Sequence, residues 1–213
     1  MTLTGYRRAD GRVGFRNHLV ILPTSVCASE AAVRIAEEVS GAVALPHQHG
    51  CCQMGDDYRQ TLRTLVGLAS NPNVGGAIVV GLGCEGIQAE TVREELAAAG
   101  TRVAGLVIQE HGGTRGTVDA GVRLATEMAA ELAREERVPC AVSDIVLGLE
   151  CGGSDPTSGI ASNPAVGVAS DLLIDAGGTS ILSETTELIG AEHILARRAV
   201  GEGVASRILE VVA

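Results

Sequence analysis

The stretch "LVILPTSVCASEAAVRIAEEVSGAVAL", residues 19 to 45, decides the fold. "LVILP" (19–23) is an unbroken apolar run of strand length. "ASEAAVRIAEEV" (28–39) is amphipathic with a helical period, and "AVAL" (42–45) returns to a short apolar run. Strand, helix, strand in so few residues is the signature of a parallel βαβ unit. The pattern repeats outward. Residues 57–70 read as a helix, "GAIVVGL" (76–82) as a strand and "QAETVREELAAAG" (88–100) as a helix that Gly100 ends. "VAGLVI" (103–108) precedes a long helix from about Thr117 to Arg137. "DIVLGL" (144–149) leads to a helix over 163–175 with Pro164 in its first turn, "TSILS" (179–183) is a sixth strand, and the rest reads as helical. The expected fold is a three-layer, Rossmann-like α/β domain, with a mostly parallel sheet of about six strands and helices on both faces. No linker or repeat divides it, so residues 1–213 are expected to form a single domain.

Composition narrows the class. Hydrophobic residues make up 46% of the chain but aromatics only 1%, so the core must be aliphatic, as suits strands packed between helices. A formal charge of −10 opposes nucleic-acid binding, while a local arginine cluster can still hold a small anion. No apolar stretch reaches the ~20 residues of a membrane span, and "MTLTGYRRADGR" lacks the apolar centre of a signal peptide. A cytoplasmic location without membrane or nucleic-acid partners is expected. There, six cysteines point to metal ligands, reactive thiols or packing rather than disulfides.

In an open parallel sheet ligands bind beyond the carboxyl ends of the strands, and that is where the cysteines fall. Cys27 follows the first expected strand, Cys51 and Cys52 the second, Cys84 the third and Cys151 the fifth; Cys140 precedes its strand. His47 and His49 precede Cys51 in "PHQHGCCQMGDD" (46–57), Glu85 follows Cys84, and Ser154 and Asp155 follow Cys151. Glu110, His111 and Arg115 lie in the fourth loop, and Glu184 and Glu187 in the sixth. Thiolates suit zinc, iron or iron–sulfur clusters; histidine or carboxylate beside them can bind metal or move protons.

Each feature has a plainer reading. Loop cysteines are often packing, and that is the reading for Cys52 and Cys140. His18 reads as a partly buried strand residue and His193 as a helix-surface one. The acidic runs are solvated helix faces. "GLGCEG" (81–86) also matches the dinucleotide fingerprint G-x-G-x-x-G between a strand and a helix, with Glu110 past the next strand. That reading makes the chain an NAD(P)-binding oxidoreductase domain. Against it, the fingerprint falls in the third strand–helix step rather than the first, and it leaves the other cysteine loops unexplained.

Several longer motifs carry a resemblance. "GYRRADGRVGFRNHLVILPTSVCAS" (5–29), the H-x-x-G-C of His47 to Cys51, and "NPNVGGAIVVGLGCE" (71–85) come first in the chain. "GLECGGSDPTSGIASNPAVG" (148–167) and "GGTSILSETTELIGAEHILARRA" (177–199) follow. In this order they resemble the altronate and galactarate dehydratase family, which also includes the large subunit of sulfolactate sulfo-lyase. The resemblance implies a metal-dependent lyase that eliminates water from an aldarate or aldonate to give a 2-keto-3-deoxy acid. It implies iron, as mononuclear Fe2+ or an iron–sulfur cluster, with another divalent metal as the alternative. Its ligands would come from Cys27, Cys51, Cys84 and Cys151. His47, Glu85 and Asp155 are the implied catalytic residues.

Arg12, Arg16 and Asn17, just before the first expected strand, are candidates to hold a substrate carboxylate, a task for which the arginine fork is suited. Ser154 and Glu184 are further substrate-binding candidates. The chain corresponds to the middle domain of the family. It is expected to lack the small β-rich (SAF-like) N-terminal domain and the C-terminal region, either because partner chains supply them in trans or because the chain is an excised domain or shortened homologue, and to form a homo-oligomer. A noncatalytic scaffold subunit of a lyase complex is the remaining alternative.

Overall fold

The computed structural model describes residues 3–150 and 152–213. It is an α/β fold with parallel and antiparallel sheets and flanking helices, and it divides into two compact units, Met1–Cys140 and Ala141–Ala213. The first unit holds β1 (Thr4–Arg7), β2 (Val13–Gly14), β3 (His18–Pro23), α1 (Val26–Glu38), β4 (Ala42–Ala44), α2 (Gly55–Ala69) and β5 (Val74–Gly81). It continues through α3 (Ala89–Ala98), β6 (Val103–Val107), α4 (Thr114–Leu132) and β7 (Val138–Pro139).

Its centre is a four-stranded parallel sheet in the order β4-β3-β5-β6. Side chains alternate across such a sheet, and here both faces are covered. Leu19 and Ile21 of β3 pack with Ile78 and Val80 of β5 beneath α1 and α4. Val20 and Leu22 pack with Ala77 and Val79 beneath α2 and α3. This is why the strands read as continuous apolar runs rather than alternating ones. The α3 terminus is a Schellman turn as Gly100 suggested: the Gly100 amide donates to Ala97 and the Thr101 amide to Leu96, with Gly100 at φ 81°.

The second unit holds β8 (Val146–Leu149), α5 (Asn163–Asp175), β9 (Thr179–Leu182), α6 (Glu192–Arg198) and α7 (Glu202–Val212). Strands β8 and β9 are parallel and pair with each other, Val146 opposite Thr179 through Leu149 opposite Leu182.

The expected run of about six parallel strands is thus found as pairings of four and two. Where alternation suggested one domain, contacts gather into the two units. The antiparallel sheet β2-β1-β7 was not anticipated. Its strands are two to four residues long and sit in arginine-rich sequence that reads as loop. Arg8 and Arg137 stack on Tyr6, 5.6 and 5.1 Å from the ring centre, and Arg137 also donates to the Phe15 carbonyl. That pulls residues 133–137 away from helix, so α4 stops at Leu132 rather than at Arg137. Among the described residues no helix is long and apolar enough to cross a membrane.

Candidate functional site

Chain direction around the sheet locates a crevice in the first unit. From β3 the chain crosses through α1 to β4 on one side; from β5 it crosses through α3 to β6 on the other. The loops leaving β3 and β5 therefore diverge, and such a switch point is where open α/β sheets bind ligands.

Glu85 pins these two loops together. Its Oε1 accepts hydrogen bonds from Thr24 Oγ1 at 2.9 Å and the Leu82 amide at 3.0 Å, and its Oε2 accepts from the Gly83 amide at 2.6 Å. The residue is only 3% exposed. Burial by itself raises the pKa, but these hydrogen bonds together outweigh it and hold the carboxyl below its ordinary range. Glu85 is thus an ionised brace. The same geometry answers the fingerprint reading of "GLGCEG", because the Leu82 and Gly83 amides that a phosphate would use already bind an internal carboxylate.

The loop after β4 closes over the same corner. Gly50, at φ 92°, presses on β3's exit so closely that a Cβ would come within 1.9 Å of the Thr24 carbonyl oxygen. The His49 carbonyl accepts from the Val26 amide at 2.9 Å, and Ser29 Oγ donates to the His47 carbonyl at 3.2 Å. His47 turns its ring inward: Nε2–H donates to the Pro23 carbonyl at 2.8 Å, and Nδ1 accepts the His49 amide at 3.2 Å. That pattern places the ring proton on Nε2. A cleft of ≈ 830 Å³ lies alongside, lined among others by His47, His49, Gln53, Asp57 and Thr61.

Cys27 stands in the first turn of α1, Cys51 on the loop after β4 and Cys84 on the loop after β5, and all are exposed. The Cys51 thiol is pushed up in pKa first by its hydrogen bond with Cys52, then by the charge of Cys52, by burial, and by the nearby Cys27 and Cys84. Cys27, Cys51, Cys52 and Cys84 therefore share one electrostatic neighbourhood. Among the described residues, however, no group of three or more His, Cys, Asp or Glu is placed to hold a metal ion. Cys151 lies outside the described residues.

Other candidates are placed elsewhere. Arg12, Arg16 and Asn17 stand at the amino end of the sheet, before β3, whereas the cysteine loops leave its carboxyl end. The six residues of β3 span about 20 Å. Arg12 is engaged there by Asp10 at 2.6 Å and by the Ser70 carbonyl at 3.0 Å. The Arg16 amide donates to Asn73 Oδ1, and Asn17 Nδ2 donates to the Leu132 carbonyl and Glu135. In the second unit, Asp155 accepts from the Thr157 amide and hydroxyl at 2.7 and 2.6 Å, which hold its carboxyl low. Ser154 is exposed, and Glu184 takes the left-handed conformation, φ 63°, before a short helical turn at 185–188. His18 is exposed rather than partly buried.

Sequence reasoning missed Thr24, Ser25 and Ser29. Ser25 precedes α1 but makes no capping bond, and its buried Oγ has no hydrogen-bond partner. The signal was available, because a serine before an amphipathic run marks a helix start. The Thr24–Glu85 contact spans 61 residues and left no local trace.

Comparison with known proteins fits this layout. The family profile described as D-galactarate dehydratase/altronate hydrolase, second domain, matches residues 5–133. The profile for the C-terminal part of D-galactarate/altronate dehydratase matches residues 142–213. The chain belongs to the galactarate and altronate dehydratase family. It is 39% identical over 208 residues to the (2R)-sulfolactate sulfo-lyase subunit beta of Chromohalobacter salexigens, covering 97% of this chain and 52% of that one. It is 36% identical over 221 residues to altronate dehydratase of Bacillus subtilis (99% and 44%). It is 38% identical over 230 residues to galactarate dehydratase (L-threo-forming) of Escherichia coli (98% and 44%). The chain spans about half the length of these curated relatives. The resemblance read from the motifs is thereby shown; residues 142–213 match the family's C-terminal profile rather than its middle domain, and the boundary between the two profiles falls beside the boundary between the two units.

Proposed function

We propose that this chain is part of a sugar-acid lyase that eliminates water from an aldarate or aldonate, giving a 2-keto-3-deoxy acid. The observation that carries the reading is the family match over both units, supported by a switch-point crevice built from the family-like motifs of the first. The reaction removes the weakly acidic proton beside the substrate carboxylate and expels the hydroxyl on the next carbon; the resulting enol becomes the keto acid.

His47 is the candidate base. Its Nε2–H bond to Pro23 fixes the ring, and Nδ1 beside the cleft is the atom that takes the proton, in exchange for the 3.2 Å bond it accepts from the His49 amide. Glu85 acts as a positioning residue, because its low pKa suits it to bracing loops better than to donating protons. At the N-terminus of α1 the unpartnered Ser25 Oγ and the helix dipole favour a substrate carboxylate. Asp155, Ser154 and Glu184 are kept as candidates within the second unit, and Arg12, Arg16 and Asn17 as candidates at the amino edge of the first, apart from this crevice.

Iron belongs to this proposal through the family resemblance. The described donors do not assemble into a ligand set, so no step above is routed through a metal. The same holds for partners: a relative named as subunit beta supports an assembly of more than one chain, and a small β-rich subunit or domain is the partner proposed.

The test is keto-acid formation from galactarate, altronate and sulfolactate by the protein with its partner regions present. His47→Ala should lower kcat by about 100-fold or more, with Cys51→Ala also impaired. NAD(P)-dependent hydride transfer without keto-acid release would overturn the reading.

A further inference from the structure

The loop after β4 carries two adjacent thiols, Cys51 and Cys52, and no step of the proposed dehydration is assigned to either. Cys51 Sγ and Cys52 Sγ are 3.7 Å apart, and both residues are exposed. Successive side chains on extended backbone point to opposite sides. Here Cys52 takes the left-handed conformation, φ 58°, and the turn brings both sulfurs to one side. That conformation is unfavourable for a residue with a Cβ by about 1–2 kcal/mol, so the loop must hold it. Gly50 is locked against Thr24, and its amide donates to Gln53 Oε1 at 2.8 Å. A strained backbone at an exposed pair of thiols is a reason to look for function there.

We propose that Cys51 and Cys52 form a vicinal dithiol that small-molecule disulfides, R–S–S–R, oxidise to a ring-closed disulfide between the adjacent residues. One protein thiolate attacks the oxidant, forming a mixed disulfide and releasing R–S⁻. The second protein thiolate then attacks the mixed disulfide at the protein sulfur, closing the ring and releasing the second R–S⁻. The two protein sulfurs lose two electrons, the two oxidant sulfurs gain them, and the two thiol protons leave on two R–SH.

Adjacent Cα atoms are ~3.8 Å apart, short of the usual span of about 4.4–6.8 Å for a disulfide. A ring so constrained is readily opened again by a dithiol, which is the behaviour of a regulatory rather than a structural bond. Its effect on activity rests on the reading above: closing the ring takes the Cys51 thiol away from the crevice that Cys27 and Cys84 share.

The measurement uses the full chain, reduced and then exposed to glutathione disulfide in the native state. Of its six cysteines, two should be lost to thiol reagents. Cleavage after Arg34 and Arg59 releases residues 35–59, whose cysteines are Cys51 and Cys52, and this fragment should be lighter by two hydrogens. Cys52→Ser should stop at the mixed disulfide on Cys51. A mixed disulfide persisting in the unsubstituted protein would overturn the proposal. So would a cross-link from this fragment to one carrying Cys27 or Cys84, or full retention of thiols. Ring formation is read from mass, so it stands or falls separately from the dehydratase reading.

Discussion

The two units are written in the same strand–helix idiom and differ in what they bury. In the first, both faces of the sheet are covered, and Ile21, Leu22, Ile78, Val79 and Val80 are fully enclosed. In the second, no described residue is buried, and Val146, Leu172, Ile181 and Ile189 lie more than half exposed. Apolar patterning therefore places elements, but layers decide burial. A four-stranded sheet between helix pairs closes a core, whereas two strands present too little surface to close one.

The strongest way to break this comparison is to delete matched side chains from each unit. Ile78→Ala removes a fully enclosed side chain between α1 and α4, and should destabilise the first unit by about 2–5 kcal/mol. Leu172→Ala, at a position 66% exposed, should change stability by less than about 0.5 kcal/mol. Urea titrations of the two variants decide it. Equal losses would mean that Leu172 is enclosed in solution, and the contrast between the units would vanish.

A sharper test concerns the brace between the loops of the first unit. Glu85 has a folded-state pKa below its ordinary value of 4.5. It therefore contributes stability that is fully present above about pH 4.5 and is lost as pH falls through the depressed folded value. Glu85→Gln should cost about 1–3 kcal/mol at neutral pH, because one amide donor is left facing an amide NH₂. The gap between variant and parent should then narrow as the solution is acidified below pH 4.5. Stability curves from pH 7 to 3 measure it; a gap independent of pH would show that Glu85 is not the ionised brace described.

How much of this was legible beforehand follows from the same physics. The positions of β3, α1, β5, α3, β6, α5 and β9 follow from local period and caps. The period of an amphipathic helix and the length of an apolar strand are properties of contiguous residues. Pairing partners are not. Nothing local in "DIVLGL" distinguishes a fifth strand of one sheet from the first strand of another. The short β1, β2 and β7 hold together through Arg8, Arg137 and Tyr6, which are far apart in sequence. At the site, Cys27 in the first turn of α1, His47 and Cys51 after β4, and Cys84 after β5 all follow strand carboxyl ends, as the order of apolar runs suggested. The engagement of His47 with Pro23 and of Glu85 with Thr24 was out of reach, since a hydrogen bond between distant loops leaves no spacing signature. The arginines before β3 read as anion holders because of their side-chain chemistry. The structure instead shows Arg12 tied to Asp10 and Ser70.

The smallest expected effect sharpens the comparison at the level of charge. Glu135 joins distant parts of the first unit. Its Oε2 accepts from Asn17 at 3.0 Å and lies 3.5 Å from Arg8, and its Oε1 lies 3.0 Å from Arg102. Glu210 in the second unit pairs with a near neighbour, Arg207 at 3.1 Å on the same face of α7, with both side chains well exposed. An exposed pair three residues apart on a helix contributes about 0.2–0.5 kcal/mol. A part-buried carboxylate shared by several donors contributes more, because its hydrogen bonds are charge-assisted. Glu135→Gln should therefore lower stability by about 1 kcal/mol, and Glu210→Gln by less than about 0.5 kcal/mol. Salt at about 1 M should erase the Glu210 effect, since the screening length falls to about 3 Å there, while leaving most of the Glu135 effect in place. Chemical denaturation in urea at low and high salt measures both, and an equal salt response would mean that Glu135 is as solvated as Glu210.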